Sequence, residues 1–567
     1  MPGLPSTTAV ARRRLATAAA LACAAAGLVA VHAPTALAAA DATCGYSKAT
    51  RTVTLTLPSD DPFEGPYLLS RVPRTQHIGM DTSQIDWQYC GGSTVFNTDH
   101  IHVIGSQQNE TLIVSIAGGM LGPGATKEHD SASEIEITGS LGDGTDTLLL
   151  QGGAGNDHLH ISSATQASFT ADKDPDITLA GVDKWRIEGG AGNDTLSAAG
   201  APKAEIVGGE GSDTITGSSG DDRIWGDNGV TEDFGNDIIS AGAGDDDIYA
   251  GDGADRINGG PDNDYLVGDV GNDVENGGPD NDTLWMGSEA DGRDVLQGGP
   301  GTDAAAYWSR TTNLHLSVDG KANDGATGER DTIAGDMENL YGGTGNDTLI
   351  GSSVGNALNG GDGNDTLSGL AGDDSLRGGN GNDTLYGGPG DEWMPNDAGN
   401  DRIYGQGGDD TINAGSVADG RDVFSGGADV DTIDYSARTN PVTIDVTAAD
   451  GDGESGENDA VSADFERLYG GSGSDVIRSG DGANTIYGNN GDDVLDGGRG
   501  ADSINGGAGS DTLTGGEGYD SLYGGDDDDS LYLSDQATDY GDGGNGTDTA
   551  YVDAGYESLT NCEVVVG

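Results

Sequence analysis

A nine-residue period governs the chain from residue 189 onward. Gly189-Gly190-Ala191-Gly192-Asn193-Asp194-Thr195-Leu196-Ser197 and Gly208-Gly209-Glu210-Gly211-Ser212-Asp213-Thr214-Ile215-Thr216 stand in the same register. The pattern is G-G-x-G-x-D-x-U-x, with U a large aliphatic residue. Units start at 241, 250, 259, 268 and 277, then from 342 through 360, 369 and 378, then from 470 through 488, 497, 506, 515 and 524. A unit this short cannot bury its one aliphatic side chain alone. It must stack on copies of itself, so the chain is expected to form a solenoid.

A longer repeat is laid over the short one. Ala290-Asp291-Gly292-Arg293-Asp294-Val295 recurs as Ala418-Asp419-Gly420-Arg421-Asp422-Val423, 128 residues later. The same offset relates Tyr307 to Tyr435, Arg310 to Arg438, Glu329 to Glu457 and Glu338 to Glu466. One array plus a spacer was therefore duplicated. Each spacer alternates apolar residues (Leu314, Leu316 and Val318; Val442 and Ile444) and then carries an acidic, Gly-rich loop. Such spacers read as wider β-coils of the same solenoid.

The position of each residue type has a physical reason. Glycine at positions 1, 2 and 4 permits positive φ and close backbone approach. Position 6 adds a carboxylate at the end of the same turn. Position 8 points into the core of a very short strand. One turn and one strand use nine residues, so two units close a coil. Stacking then brings the aspartate of one coil about 4.8 Å from that of the next. Two carboxylates at that spacing repel by about 0.9 kcal/mol in water and roughly 3.5 kcal/mol at an effective dielectric of 20. A column of such pairs is not tolerable when a domain is stable by only about 5–15 kcal/mol. A hard divalent cation between the turns removes the repulsion and uses the oxygens. Calcium accepts six to eight oxygens in loose geometry, whereas magnesium wants a strict octahedron and zinc wants nitrogen or sulfur. Eight His and four Cys, scattered, offer no zinc cluster.

These units resemble the RTX, or hemolysin-type, calcium-binding nonapeptide repeats. The resemblance implies a right-handed parallel β-roll with calcium between successive turns, held by the position-6 aspartates and glycine-loop carbonyls. Carried onto this sequence, the first-array carboxylates are Asp194, Asp213, Asp222, Asp246, Asp255, Asp264, Asp273 and Asp282. In the second array they are Asp347, Asp365, Asp374, Asp383 and Asp410, and in the third Asp475, Asp493, Asp502, Asp511, Asp520 and Asp529. Position 6 is Asn356 or Asn484 in two units, position 8 is Glu275 in one, and the unit around Glu392-Trp393-Met394 is degenerate. Weak or missing sites are expected there.

Composition agrees with this reading. Lys and Arg total 25 against 97 Asp and Glu, for a net charge of -72, and 101 of 567 residues are glycine. Nucleic acid and anionic membrane surfaces are excluded as partners by like charge. A disordered acidic chain would share the composition, but it would not need an aliphatic residue at position 8 of most units.

The N-terminus reads as an export signal: Arg12-Arg13-Arg14, an apolar run from Leu15 to Val31, and A-x-A-like cleavage sites at Ala36-Leu37-Ala38 and Ala38-Ala39-Ala40. No other stretch is apolar enough to span a bilayer. The expected organisation is a signal peptide over 1–40, an all-β N-terminal domain over 41–186 and a first array over 187–306. A spacer over 307–341, a second array over 342–434 and a duplicate spacer over 435–469 follow. A third array over 470–551 and a cap over 552–567 complete the chain. Export makes a disulfide plausible; Cys44 with Cys90 is the economical pair, with Cys562 left over.

Catalytic signatures are sparse. H-E-x-x-H is absent. Gly351-Ser352-Ser353-Val354-Gly355 has the spelling of a nucleophile elbow but stands in register inside an array. His158 and His160 beside Asp157 lack a nucleophile. Aromatic residues at position 9 (Trp225, Tyr249, Trp285, Tyr386, Tyr487 and Tyr523) face outward and could stack on sugars. The expected function is a secreted, non-enzymatic calcium-binding protein with a structural or adhesive role and calcium-induced folding. Its partners would be calcium ions and a cell-surface or glycan ligand. A polysaccharide-acting enzyme or glycan-binding module built on the repeats is the alternative.

Overall fold

This computed structural model describes residues 136–169, 175–228, 235–553 and 558–567 without a break, and before them the strands between residues 43 and 115. The proposed signal segment lies outside the described residues. Among the described residues there is no helix; the fold is all-β.

Each nonapeptide gives a strand whose length its composition dictates. Glycines end the extended segment on both sides, so only three to six residues remain. In Thr214–Thr216, Arg223–Trp225 and Arg256–Asn258 the middle side chain alone is buried, as a period of two requires. Consecutive units alternate between two ladders, and each strand pairs in parallel with the next but one. Ile215, Ile239 and Ile257 stack on one face, and Ile248, Leu266 and Leu284 on the other. Apart from Glu275, the position-8 residues stack from coil to coil, and one apolar core runs from Leu55 to Leu533. Burying each Leu or Ile contributes about 1.5–3 kcal/mol, which no three-residue strand could gain by itself. The structure is thus a parallel β-roll.

One face is a single parallel ladder from Pro66–Arg71 to Ser558–Thr560, with antiparallel strands His77–Thr82 and Trp87–Thr94 at its start. The other face is made of three successive sheets. The breaks fall at the two spacers. At the first, Thr332–Ile333 ends one sheet, while Leu314–Ser317, paired antiparallel with Gly325–Ala326, starts the next. The unbroken face simply passes from Ala304–Ala306 to Asn339–Tyr341. Ala460–Val461 and Val442–Asp445 repeat this arrangement.

Each break is closed around a buried arginine. Arg310, 1% exposed, pairs with Asp291 and Glu329 at 2.8 Å each, and its Nε donates to the Met286 carbonyl at 2.8 Å. Tyr307 donates its hydroxyl to Asp331 at 2.9 Å. Arg438 pairs with Glu457 at 2.9 Å, and its guanidinium donates to the carbonyls of Ala414 and Gly415. Tyr435 donates to Asp459 at 3.1 Å. The 128-residue repeat is therefore a repeated buried ion-pair hub. Breaking such a pair by removing one partner typically costs about 3–5 kcal/mol.

The glycines are required by proximity as well as by φ. A methyl group on Gly379, at φ +103°, would lie 1.8 Å from the Gly361 carbonyl of the coil below. Where position 2 is not glycine, the conformation persists: Leu370, Gln406 and Asn489 take φ of 77°, 83° and 76°. Gly379→Ala should therefore destabilise the protein by at least about 2 kcal/mol. Gly407→Ala, where nothing lies within 4 Å, should change stability by no more than about 0.5 kcal/mol. Urea unfolding in saturating calcium compares the two.

Candidate metal centre

Stacking brings the position-6 side chains into columns. The Asp194 backbone N–H donates to Asp213 Oδ1 at 2.7 Å, Asp213 to Asp237 at 2.7 Å, Asp237 to Asp255 at 2.7 Å and Asp255 to Asp273 at 2.8 Å. The opposite edge runs from Asp222 through Asp246, Asp264 and Asp282 to Asp303. The second array has Asp347, Asp365, Asp383, Asp401 and Asp422 on one edge. On the other it has Asn356 donating to Asp374, and Glu392 donating to Asp410 and so to Asp431. The third has Asp475, Asp493, Asp511, Asp529 and Asp548, and Asn484, Asp502, Asp520 and Asp539. Every aspartate carried over from the repeat pattern is buried, and every one lies in a column.

Each carboxylate uses one oxygen in this ladder. The other, Oδ2, is buried without a hydrogen-bond partner in Asp194, Asp213, Asp246, Asp255, Asp264, Asp365, Asp374, Asp383, Asp493, Asp502 and Asp511, among others. An unsatisfied buried carboxylate oxygen is strongly unfavourable. Where position 1 is glycine, these oxygens have a recurring surrounding. A methyl group built on Gly208 would lie 2.3 Å from Asp213 Oδ2 and 2.3 Å from the Gly226 carbonyl of the next coil. On Gly360 the corresponding distances are 2.3 Å to Asp365 Oδ2 and 2.7 Å to the Gly378 carbonyl, and on Gly506 they are 2.2 Å to Asp511 Oδ2 and 2.7 Å to the Gly524 carbonyl. A carboxylate oxygen and a carbonyl oxygen thus lie close together beside the position-1 glycine, and both are the hard donors that calcium takes at about 2.3–2.6 Å. Among the described residues no three His, Cys, Asp or Glu side chains form a preformed metal cage. The oxygens come instead from one carboxylate per turn and from backbone carbonyls, a hard-donor set that suits calcium.

The turns also include carboxylates that counting in nines missed. Asp303 and Asp548 end regular units, Gly298-Gly299-Pro300-Gly301-Thr302-Asp303 and Gly543-Gly544-Asn545-Gly546-Thr547-Asp548, and were legible. Asp401 follows Gly399-Asn400. Asp237 comes 24 residues after its column neighbour instead of 18 or 19, and Asp294, Asp422 and Asp431 come 21 after theirs. The column holds its register across these longer intervals. Three columns end on longer acids: Glu338, Glu466 and Glu563 accept from Asp303, Asp431 and Asp548, while Asp294 and Asp422 donate to Asp331 and Asp459. The Gly152–Asp157 turn belongs too, since Asp157 N–H donates to Asp194.

Two expectations need correction or comment. At Glu392 the frame of the unit is present: Glu392 is buried, its N–H donates to Asp410, and Met394 fills the core. Its carboxylate departs from the pattern, because neither oxygen accepts the N–H that the aspartates take from the coil before. Asn356 and Asn484 also keep their places in the column; their amides donate to the carbonyls of Glu338 and Phe465, a contact no carboxylate could make. Cys44 and Cys90 fall in strands Thr43–Ser47 and Trp87–Thr94, but their side chains lie outside the described residues. Cys562 is a free thiol.

The remaining candidates have turn or surface roles. Ser352 Oγ accepts from the Val354 N–H at 3.3 Å, closing a turn. His158 and His160 flank buried Leu159 on a strand. Several position-9 aromatics stack on neighbours one coil away: Trp225 on Tyr249 at 6.0 Å, Tyr386 on Tyr404 at 5.3 Å and Tyr469 on Tyr487 at 4.7 Å. Each ring so paired gives one face to its neighbour.

A parallel roll whose turns are lined by partnerless carboxylates and facing carbonyls is a calcium-binding repeat protein. The chain belongs to the family of RTX calcium-binding nonapeptide repeats. The family matches residues 186–200, 205–230, 233–266, 249–284, 329–353, 359–391, 397–419, 417–437, 469–504 and 505–539. The match leaves out residues 285–328 and 438–468, which contain Arg310 and Arg438. A search of curated proteins gives no match.

Burial, reinforced by neighbouring carboxylates, pushes these acids up: Asp213, Asp255 and Asp264 to about 8, and Asp365, Asp493 and Asp511 to about 7. Backbone N–H donors to the carboxylates pull the other way, and lose. In the unfolded chain aspartate titrates near 3.9. Without a cation the roll therefore holds more protons than the unfolded chain between about pH 4 and pH 8, and its stability falls as pH rises through that window. Calcium must displace those protons. Calcium affinity should rise from about pH 6 to about pH 8 and level off above, with protons released on calcium addition near neutrality. Calcium titrations followed by circular dichroism, with pH-stat measurement of released acid, check both.

Proposed function

We propose that this chain is an exported, non-enzymatic protein that folds when it meets extracellular calcium and serves a structural or adhesive role there. The carrying observation is the row of buried Oδ2 atoms without partners. Such turns are stable only when a cation joins them. A chain with net charge -72 stays expanded while calcium is scarce, as inside a cell, and can be exported unfolded. Extracellular calcium modules bind at about 10⁻⁴–10⁻³ M, which places the switch outside. The Arg-led apolar N-terminus supports export. Among the described residues no helix is long and apolar enough to cross a membrane.

Circular dichroism of the full chain tests this. EDTA should abolish most of the β signal, millimolar calcium should restore it, and equal magnesium should not. An unchanged spectrum in EDTA would refute calcium-induced folding.

A further inference from the structure

Glu275 is a carboxylate in a column of aliphatic residues. Its strand, Val274–Asn276, lies between Arg256–Asn258 and Val295–Gln297, and Glu275 stands in register with Ile257 and Leu296. It is 0% exposed, and neither oxygen has a hydrogen-bond partner. The Gly268 amide lies near it but makes no well-formed bond to either oxygen. The side chain is aimed at the turn: a methyl group on Gly268 would lie 2.7 Å from Glu275 Oε1 and 2.7 Å from Asp273 Oδ2. At Gly208, Gly360 and Gly506 the matching neighbour is a carbonyl of the next coil. Here a second carboxylate takes that place.

The duplicated half of the chain supplies an internal control. The 128-residue offset relates Asp273 to Asp401 and Asp294 to Asp422, but it relates Gly268 to Asn396 and Glu275 to Ile403. Asn396 Nδ2 donates to Asp422 Oδ2 at 2.8 Å. A neutral side chain growing from the Gly268 position thus fills this space and satisfies the next turn's carboxylate, and Ile403 restores the apolar column. At the first junction nothing does so: Asp273 Oδ2 and Asp294 Oδ2 are both buried and unpartnered.

We infer that the core-facing Glu275 adds a second carboxylate to the calcium site of the Asp273 turn, beside Gly268. The corresponding turn at Asn396 and Ile403 is closed to metal. The inference rests on the reading of the other turns as calcium sites. The extra carboxylate makes this the tightest site in the chain, because charge count sets affinity among oxygen sites. The first junction is then tied by calcium where the second is tied by an amide.

The test is calcium binding by the full chain against a chromophoric chelator, with folding at saturating calcium read by circular dichroism. The wild type should bind one ion at least about tenfold more tightly than the rest. Glu275→Gln, which keeps size and hydrogen-bonding capacity, should lose that ion's tight binding. The double change Gly268→Asn with Glu275→Ile, which copies the junction the chain already builds at Asn396, should lose that ion altogether and keep the β signal. If both variants bind as many ions as the wild type with the same affinities, Glu275 adds nothing to the site and is a buried neutral acid. If the wild type itself binds no calcium, the reading of all the turns fails instead.

Discussion

Repulsion between carboxylates one coil apart governs this structure. Parallel stacking forces like residues into register, so an aspartate at position 6 of every unit meets another directly above it. The backbone answers half of the problem by giving each Oδ1 an N–H from the preceding coil. At Asp222, Asp347 and Asp475 the N–H of the turn's second residue also reaches Oδ2, but in most turns Oδ2 is left without a donor. The unanswered oxygens and carbonyls of the next coil are left close together beside the position-1 glycines. The chemistry that makes the roll bind calcium is the same chemistry that makes it unstable without calcium.

The spacers show how the fold handles a lapse in that regularity. Where the short period breaks, a guanidinium replaces the metal as the cation among buried acids. Arg310 is held by Asp291 and Glu329, and Arg438 by Glu457. A covalently attached charge needs no supply of ions, so within the folded roll these hubs draw on no calcium. One face of the roll runs through them unbroken while the other changes sheet. The family match stops at both places, as it must where glycine turns give way to a side-chain network.

Much of the roll was legible because its rules are local. A glycine needed for positive φ, an aspartate at the turn's end and one aliphatic residue per strand recur at fixed offsets, and each has its own physical reason. The exceptions were legible only as exceptions. Glu392 read as degeneracy; it is buried at the position-6 place, but neither of its oxygens takes the N–H that an aspartate there accepts. Asp237 escaped notice because its unit contains extra residues, and a period of nine counts residues, not coils. Position 9 aromatics read as exposed; stacking on neighbours one coil away, as for Tyr386 and Tyr404, is invisible without the register.

The sequence by itself determined the strand length, the turn chemistry, the nine-residue alternation between two faces and the preference for a hard oxygen-seeking cation, since all of these follow from side chains within a single unit. Only the tertiary structure decided which carboxylates share a column, where one face breaks into three sheets and what closes the breaks. It also decided that Glu275 turns its carboxylate toward Asp273 and does not simply interrupt the core. Those outcomes depend on contacts between residues 18 to 38 positions apart, and insertions shift that spacing without leaving any mark in the local pattern.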